Sequence, residues 1–217
     1  MTRELLSVAL ARQMGRTLTV ELAKEIVREA EAEPDCTVAN ANFVQERWRG
    51  YTFQCETLQA GGQALCDQRA SYLRETAPGE RQRTDWARLT VLQRRGHHTI
   101  FTARQAGLGT LAASIWLFVD WNIDNGARCV TDDLMFVEPA HRGGMLAPRL
   151  WRYAEASMFA VGVREAVFHS RLENGAERMA RFLGYRPIAT RVRKTHSGDD
   201  LAGAPSRREE VFHDPVV

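Results

Sequence analysis

The chain has 217 residues, 44% hydrophobic and 26% charged, with a formal net charge of +2. That length suits one sizeable α/β domain with some decoration. The near-neutral balance argues against nucleic acid as a partner, and no apolar run approaches the ~20 residues that span a bilayer.

Cys36, Cys55, Cys66 and Cys129 are scattered, with no CxxC pair and no Cys/His ligand spacing. We therefore expect reduced thiols, no disulfide and no metal site. Lys24 and Lys194 are the only lysines beside many arginines, a bias that fits a GC-rich bacterial or phage genome. The apolar run at the N-terminus is short and interrupted, so no signal peptide is expected and the cytoplasm is the expected compartment.

Residues 2–14 read as a short helix. A second helix opens at Thr19 as N-cap, with Glu21 in its first turn complementing the dipole. Val20, Ala23, Ile26, Val27 and Ala30 recur at helical spacing, and Pro34 ends the run. Residues 1–50 thus form an amphipathic helical arm plus a connector over 35–50. The arm either packs on the body or docks a second copy or assembly partner through residues 1–33.

YTFQCET, residues 51–57, alternates as a strand does. Residues 58–77 read as a helix with Leu58, Leu65, Tyr72 and Leu73 on its apolar side. Thr84 or Asp85 caps the next helix, which Gly96 ends. HHTIFTARQ, a GLGT turn and LAASIWLFVDW read as a β-hairpin. His97 and His98 are expected at the surface. Trp116 and Trp121 either line an acceptor pocket or belong to the core. GARCVTDDLMFVEP is the next strand, followed by a helix over 145–161 and a strand over 164–172. A short helix ends at Gly184, and 187–194 is a last strand. Strands 130–138 and 165–172, joined by a helical crossover, should be parallel neighbours. Residues 197–217 form a polar tail.

In VEPAHRGGMLAPRL the turn between strand and helix carries Arg142, Gly143 and Gly144, with no acid after Glu138. Exposed N–H groups at a helix N-terminus bind anions, glycine permits close approach, and Pro148 suits a first helical turn. The other reading is a tight turn that needs glycine.

From residue 51 to residue 194, and best over 132–185, the sequence resembles the GNAT superfamily of acyl-CoA-dependent N-acyltransferases. The resemblance rests on DDLMFVEP, HRGGMLAPRL, WRYAEASMFAVGV, REAVFHSRL and ARFLGYRP. It implies an α/β (α+β) fold: a mixed, mostly antiparallel sheet with a central splayed pair of parallel strands flanked by helices. It implies acetyl-CoA as co-substrate, with its pyrophosphate on the backbone N–H groups of Arg142, Gly143, Gly144, Met145, Leu146 and Ala147. The pantetheine arm would lie along Met135, Phe136 and Val137. Asn174 stands near the family's asparagine that touches the arm; its other reading is a helix N-cap. An amine would attack the thioester directly, helped by a backbone N–H on a bulged strand and by a base.

The sequence departs from the family pattern at Met145, where glycine is usual. It departs again at Ala180, where a tyrosine often serves as general acid. Tyr185 reads as core. For the base, strand alternation puts Asp133 on the face of Thr131, Met135 and Val137, with Asp132 opposite. Asp133 is the first candidate and His169 the second; His141 is read as facing phosphate. The acceptor amine is unspecified, because residues 76–84 and 120–128 carry no diagnostic chemistry. The alternative is a catalytically inactive relative acting through its N-terminal arm, as a structural or virion-associated phage protein.

Overall fold

The computed structural model describes residues 10–11, 13–31, 38, 43–79, 83–169 and 175–188. The chain divides into two units, Met1–Tyr185 and Arg186–Val217. Of the second unit only residues 186–188 are described, and they carry no helix or strand. The rest of the expected last strand, the polar tail, Pro34 and Cys36 lie outside the described residues.

In the arm, helix α1 spans Val20–Glu31. Thr19 caps it, its Oγ1 accepting from the Leu22 N–H at 3.1 Å. The buried stripe runs through Leu22 and Ile26, while Val20 and Val27 are exposed. The apolar face is therefore rotated from the expected one. Of the preceding helix, Leu10 and Ala11 are helical and residues 1–9 lie outside the described part.

One six-stranded sheet follows, with its strands side by side in chain order. They are β1 (Glu46–Trp48), β2 (Tyr51–Glu56), β3 (His98–Gln105), β4 (Leu111–Trp121), β5 (Arg128–Val137) and β6 (Glu165–Val167). All neighbours are antiparallel except β5 and β6, which are parallel. Strand β1 lies inside the stretch read as a connector. Its hairpin turns on Arg49 and Gly50, both at positive φ, as a two-residue loop between twisted strands requires. An arginine in that role, beside a strand of only three residues, leaves little to read in sequence.

Helix α2 covers Leu58–Thr76, with Thr57 accepting from the Ala60 N–H at 3.0 Å and a break at Gly62, φ 55°. Helix α3 covers Trp86–Arg94. Of its two candidate caps Asp85 serves, accepting from the Arg88 N–H at 2.9 Å. Helix α4 covers Leu146–Ala160 and α5 covers Ala176–Phe182.

Both faces of the sheet are covered. On one, Phe53, Phe101, Ile115, Leu117 and Val130 pack with Leu150, Tyr153 and Met158 of α4. On the other, Ile100, Trp116, Leu134 and Phe136 pack with Leu65 of α2 and Leu89 of α3. Each such side chain contributes on the order of 2 kcal/mol of burial free energy. Double coverage explains the unbroken apolar run of β4. It also corrects the surface reading of His98, which is fully buried against the rings of Trp116 and Phe118. Trp116, likewise, is core.

Cys55, Cys66 and Cys129 are free thiols. Among the described residues no group of His, Cys, Asp and Glu could hold a metal, and no helix is long and apolar enough to cross a membrane.

Candidate active site

Strands β5 and β6 pair only at residues 129–131 with 165–167. Strand β5 then runs on to Val137 against β4, while β6 stops. A gap therefore opens beside the second half of β5. At its closed end the β4–β5 turn holds β6 in place: the side-chain amides of Asn122 and Asn125 donate to the two oxygens of Glu165.

The register along β4 slips beside the gap. Trp116 faces Leu134 and the next residue, Leu117, faces Asp132, so Asp133 is the extra residue of a β-bulge. The bulge overturns the alternation expected from sequence. Asp133 does not share the face of Met135 and Val137. It turns to the α2 side, where Arg69 Nη1 lies 2.5 Å from its Oδ2 and His98 Nε2 lies 4.0 Å away. The Arg69 guanidinium also stacks 5.0 Å over Trp116.

Asp132 instead faces the point where the strands part. Its Oδ1 accepts from the His169 backbone N–H at 2.6 Å and lies 3.0 Å from His169 Nδ1. The Asp132 side chain is 8% exposed and that of His169 40%. Burial raises the Asp132 carboxyl above the usual carboxylate range, opposed by the two His169 contacts.

The far half of β5 offers an open backbone edge. The Glu138 N–H donates to Ala112 on the β4 side. Alternation then points the backbone groups of Phe136 toward β4 and those of Met135 and Val137 into the gap. The Val137 carbonyl indeed accepts there, from Arg142 Nε at 2.8 Å. Phe136 contributes its ring, which lies 5.0 Å beneath the Arg142 guanidinium.

After a 3-10 turn over Pro139–His141, the chain enters α4 without a side-chain cap and without an acid in the first turn. The Arg142 N–H is used by the Pro139 carbonyl, so it is not one of the free donors expected from sequence. The N–H groups of Gly143, Gly144, Met145, Leu146 and Ala147 have no acceptor among the described residues. Gly143 sits at φ +83°, and a Cβ on it or on Gly144 would meet no atom within 4 Å. This is an open cradle of N–H donors at the positive end of a 15-residue helix. Met145, in place of glycine, supplies the N-cap position. Its side chain is exposed.

The charged side chains near the cradle are paired. Arg142 Nη2 donates to both oxygens of Glu75, at 2.8 and 3.1 Å. Arg149 Nη2 pairs with Glu46. His141 does not face the cradle with both nitrogens, since its Nδ1 lies 2.9 Å from the Tyr51 hydroxyl.

Ala180 is buried, and Tyr185 is partly buried and packed against the core. The Tyr185 hydroxyl accepts from Trp151 Nε1 and donates to Glu155, both at 2.7 Å. Burial and the Glu155 contact push its phenol far above the ordinary value. Asn174 lies outside the described residues; the N-cap position of α5 is Gly175. Strand alternation did not single out Asp132, because the position of the bulge cannot be read from a pair of adjacent aspartates.

The profile of the acetyltransferase (GNAT) family matches residues 63–185, from the break in α2 to the end of the first unit. The chain belongs to the GNAT acetyltransferase family. Among solved structures it is similar to an aminoglycoside acetyltransferase from an uncultured soil metagenomic sample, at 9% identity and TM-score 0.57, over 68% of this chain and 96% of that one. It is also similar to a ribosomal-protein-alanine N-acetyltransferase from Brucella melitensis biovar Abortus, at 17% identity and TM-score 0.56, over 69% of this chain and 100% of that one. At these identities the likeness is one of fold. Among curated protein sequences none matches. GNAT acetyltransferases generally use acetyl-CoA, and the residues here suit it: an anion cradle at residues 143–147 lies one strand end away from an open edge at Met135 and Val137.

Proposed function

We propose that this GNAT protein transfers an acetyl group from acetyl-CoA to an amine by direct attack. The observation that carries the reading is the pairing of an uncapped, acid-free helix N-terminus with a half-open parallel strand pair. When bound, acetyl-CoA supplies the acetyl group as an activated thioester. The N–H groups of residues 143–147 would hold its pyrophosphate, and the edge groups of Met135 and Val137 would orient its arm. By the family resemblance Asn174 would add an amide for the arm.

The chain must also take a proton from an ammonium substrate, since only the free amine is nucleophilic. Asp133 is poorly placed for that, because Arg69 occupies its carboxylate on the α2 side of the sheet. His169 is the better base. It lies at the closed end of the gap, and its ring is the more exposed partner of the contact with Asp132.

Calorimetric titration with acetyl-CoA tests the reading, with Arg142→Glu as control. Micromolar binding that the variant loses supports it. No binding at millimolar acetyl-CoA overturns it.

A further inference from the structure

We propose that Asp132 is the positioning residue of the acetyl transfer: its carboxylate sets the tautomer of His169 so that Nε2 presents its lone pair to the incoming ammonium. The inference rests on the N-acetyltransferase reading above.

The geometry carries it. Asp132 is the first residue of β5 beyond the last ladder pair, Thr131 with Val167, and His169 is two residues beyond that pair on the other strand. The two side chains therefore close the apex of the gap. Asp132 Oδ1 already accepts from the His169 backbone N–H, so it acts as an acceptor. A ring nitrogen 3.0 Å from that same oxygen must then donate. Nδ1 carries the proton, and Nε2, on the opposite edge of the ring, is left as the acceptor. Nε2 has no partner among the described residues. The other ionisable group facing Asp132 is Tyr185, whose hydroxyl is tied to Glu155 of α4. Among the described residues no arginine or lysine acts on the Asp132 carboxyl.

The proton balance gives the pair a defined task. Acetylating an ammonium takes two protons from nitrogen, forms a C–N bond and breaks a C–S bond. One proton ends on the leaving thiolate and the other in solvent. His169 Nε2 accepts the first, freeing the amine to attack. The resulting imidazolium is then held against the buried Asp132 carboxylate until it releases its proton to water.

A structural role is the competing explanation, since the same carboxylate pins the chain after β6 to β5. Asp132→Asn separates the two. Asparagine keeps an oxygen for the His169 N–H but loses the charge, and its amide can donate to the ring as well as accept from it. The experiment measures three things in the wild type, in Asp132→Asn and in Asp132→Ala. These are calorimetric acetyl-CoA affinity, the side-chain 15N shifts of His169, and kcat and KM with spermidine, an alanyl peptide and kanamycin as amine probes. The wild type should show a single Nδ1–H tautomer. Asp132→Asn should populate both tautomers and lower kcat by roughly 10- to 100-fold, with acetyl-CoA affinity and amine KM unchanged. A wild-type kcat and a single Nδ1–H tautomer in Asp132→Asn would overturn the proposal. So would a wild-type ring protonated at Nε2, whatever the probes show. Failure of the wild type to bind acetyl-CoA strikes the N-acetyltransferase reading instead, which the calorimetry reports separately.

Discussion

Arg142 and Glu75 tie the turn before α4 to the C-terminal end of α2. The Arg142 guanidinium bonds both Glu75 oxygens and at the same time covers the Val137 carbonyl on the open strand edge. One side chain thus links the open strand edge to α2, and its charge is shared with a carboxylate rather than offered to an anion. Both partners are about half exposed, at 43% and 47%. Glu75→Gln should therefore change stability by less than ~0.5 kcal/mol. It should tighten acetyl-CoA binding roughly two- to fivefold by freeing Arg142 for phosphate. Calorimetry at low and high salt checks this, the gain being smaller at high salt. An unchanged affinity at low salt would show that the Arg142–Glu75 pair is irrelevant to the cradle.

Gly143 and Gly144 should respond differently to the same substitution. Gly143 is at φ +83° and Gly144 is not at positive φ, while a Cβ on either meets open space. Gly143→Ala should cost about 1–2 kcal/mol from backbone conformation alone. Gly144→Ala should be within ~0.5 kcal/mol of wild type. Urea denaturation of the two variants decides it. Equal costs would mean that the turn's conformation is not what Gly143 supplies.

Asp133 should prove to matter for stability. Its ion pair with Arg69 is largely shielded, at 16% and 14% exposure. Removing one partner leaves the other charge without its counterpart, so Asp133→Ala should destabilise by about 2–3 kcal/mol. In a double-mutant cycle with Arg69→Ala the costs should fall short of additive by more than ~1 kcal/mol. A variant of wild-type stability that had lost its activity would return Asp133 to the chemistry.

His98 should make the fold acid-sensitive. Burial holds its pKa down at about 4, from an ordinary 6.5, with Asp133 opposing and Arg69 adding to the shift. The unfolded chain then takes up a proton as pH falls below 6.5, and the folded chain does not until about 4. Stability is full above 6.5 and declines through this window as pH falls, by on the order of 3 kcal/mol in total. Urea midpoints between pH 4 and pH 8 measure the slope, and His98→Leu should flatten it. An identical slope in that variant would assign the acid sensitivity to other groups.

Much of the architecture was legible in residues because it is local. Thr19, Thr57 and Asp85 read as caps or stood at helix starts, and each accepts the expected backbone N–H. The hairpin of β3 and β4 followed from two apolar runs around a glycine turn. The parallel pairing of β5 with β6 followed from an intervening helix of crossover length, although only three residue pairs form it. Gly143 and Gly144 stand where the residues between strand and helix put them, and Gly143 takes the positive φ of a tight turn. Where the reading failed, a distant partner had intervened. His98 looked like a surface residue until Trp116 and Phe118 closed over it.

Most helix boundaries, the caps at Thr19 and Asp85, the central hairpin and the family were readable from residues alone. These depend on side-chain periodicity, on local hydrogen bonds and on glycine's freedom, all of which act within a few residues. Which aspartate faces the gap depends on the pairing of β4 with β5. A bulge arises from the mismatch of two paired strands, so it belongs to neither strand's sequence. It sends Asp133 to Arg69 and leaves Asp132 with His169.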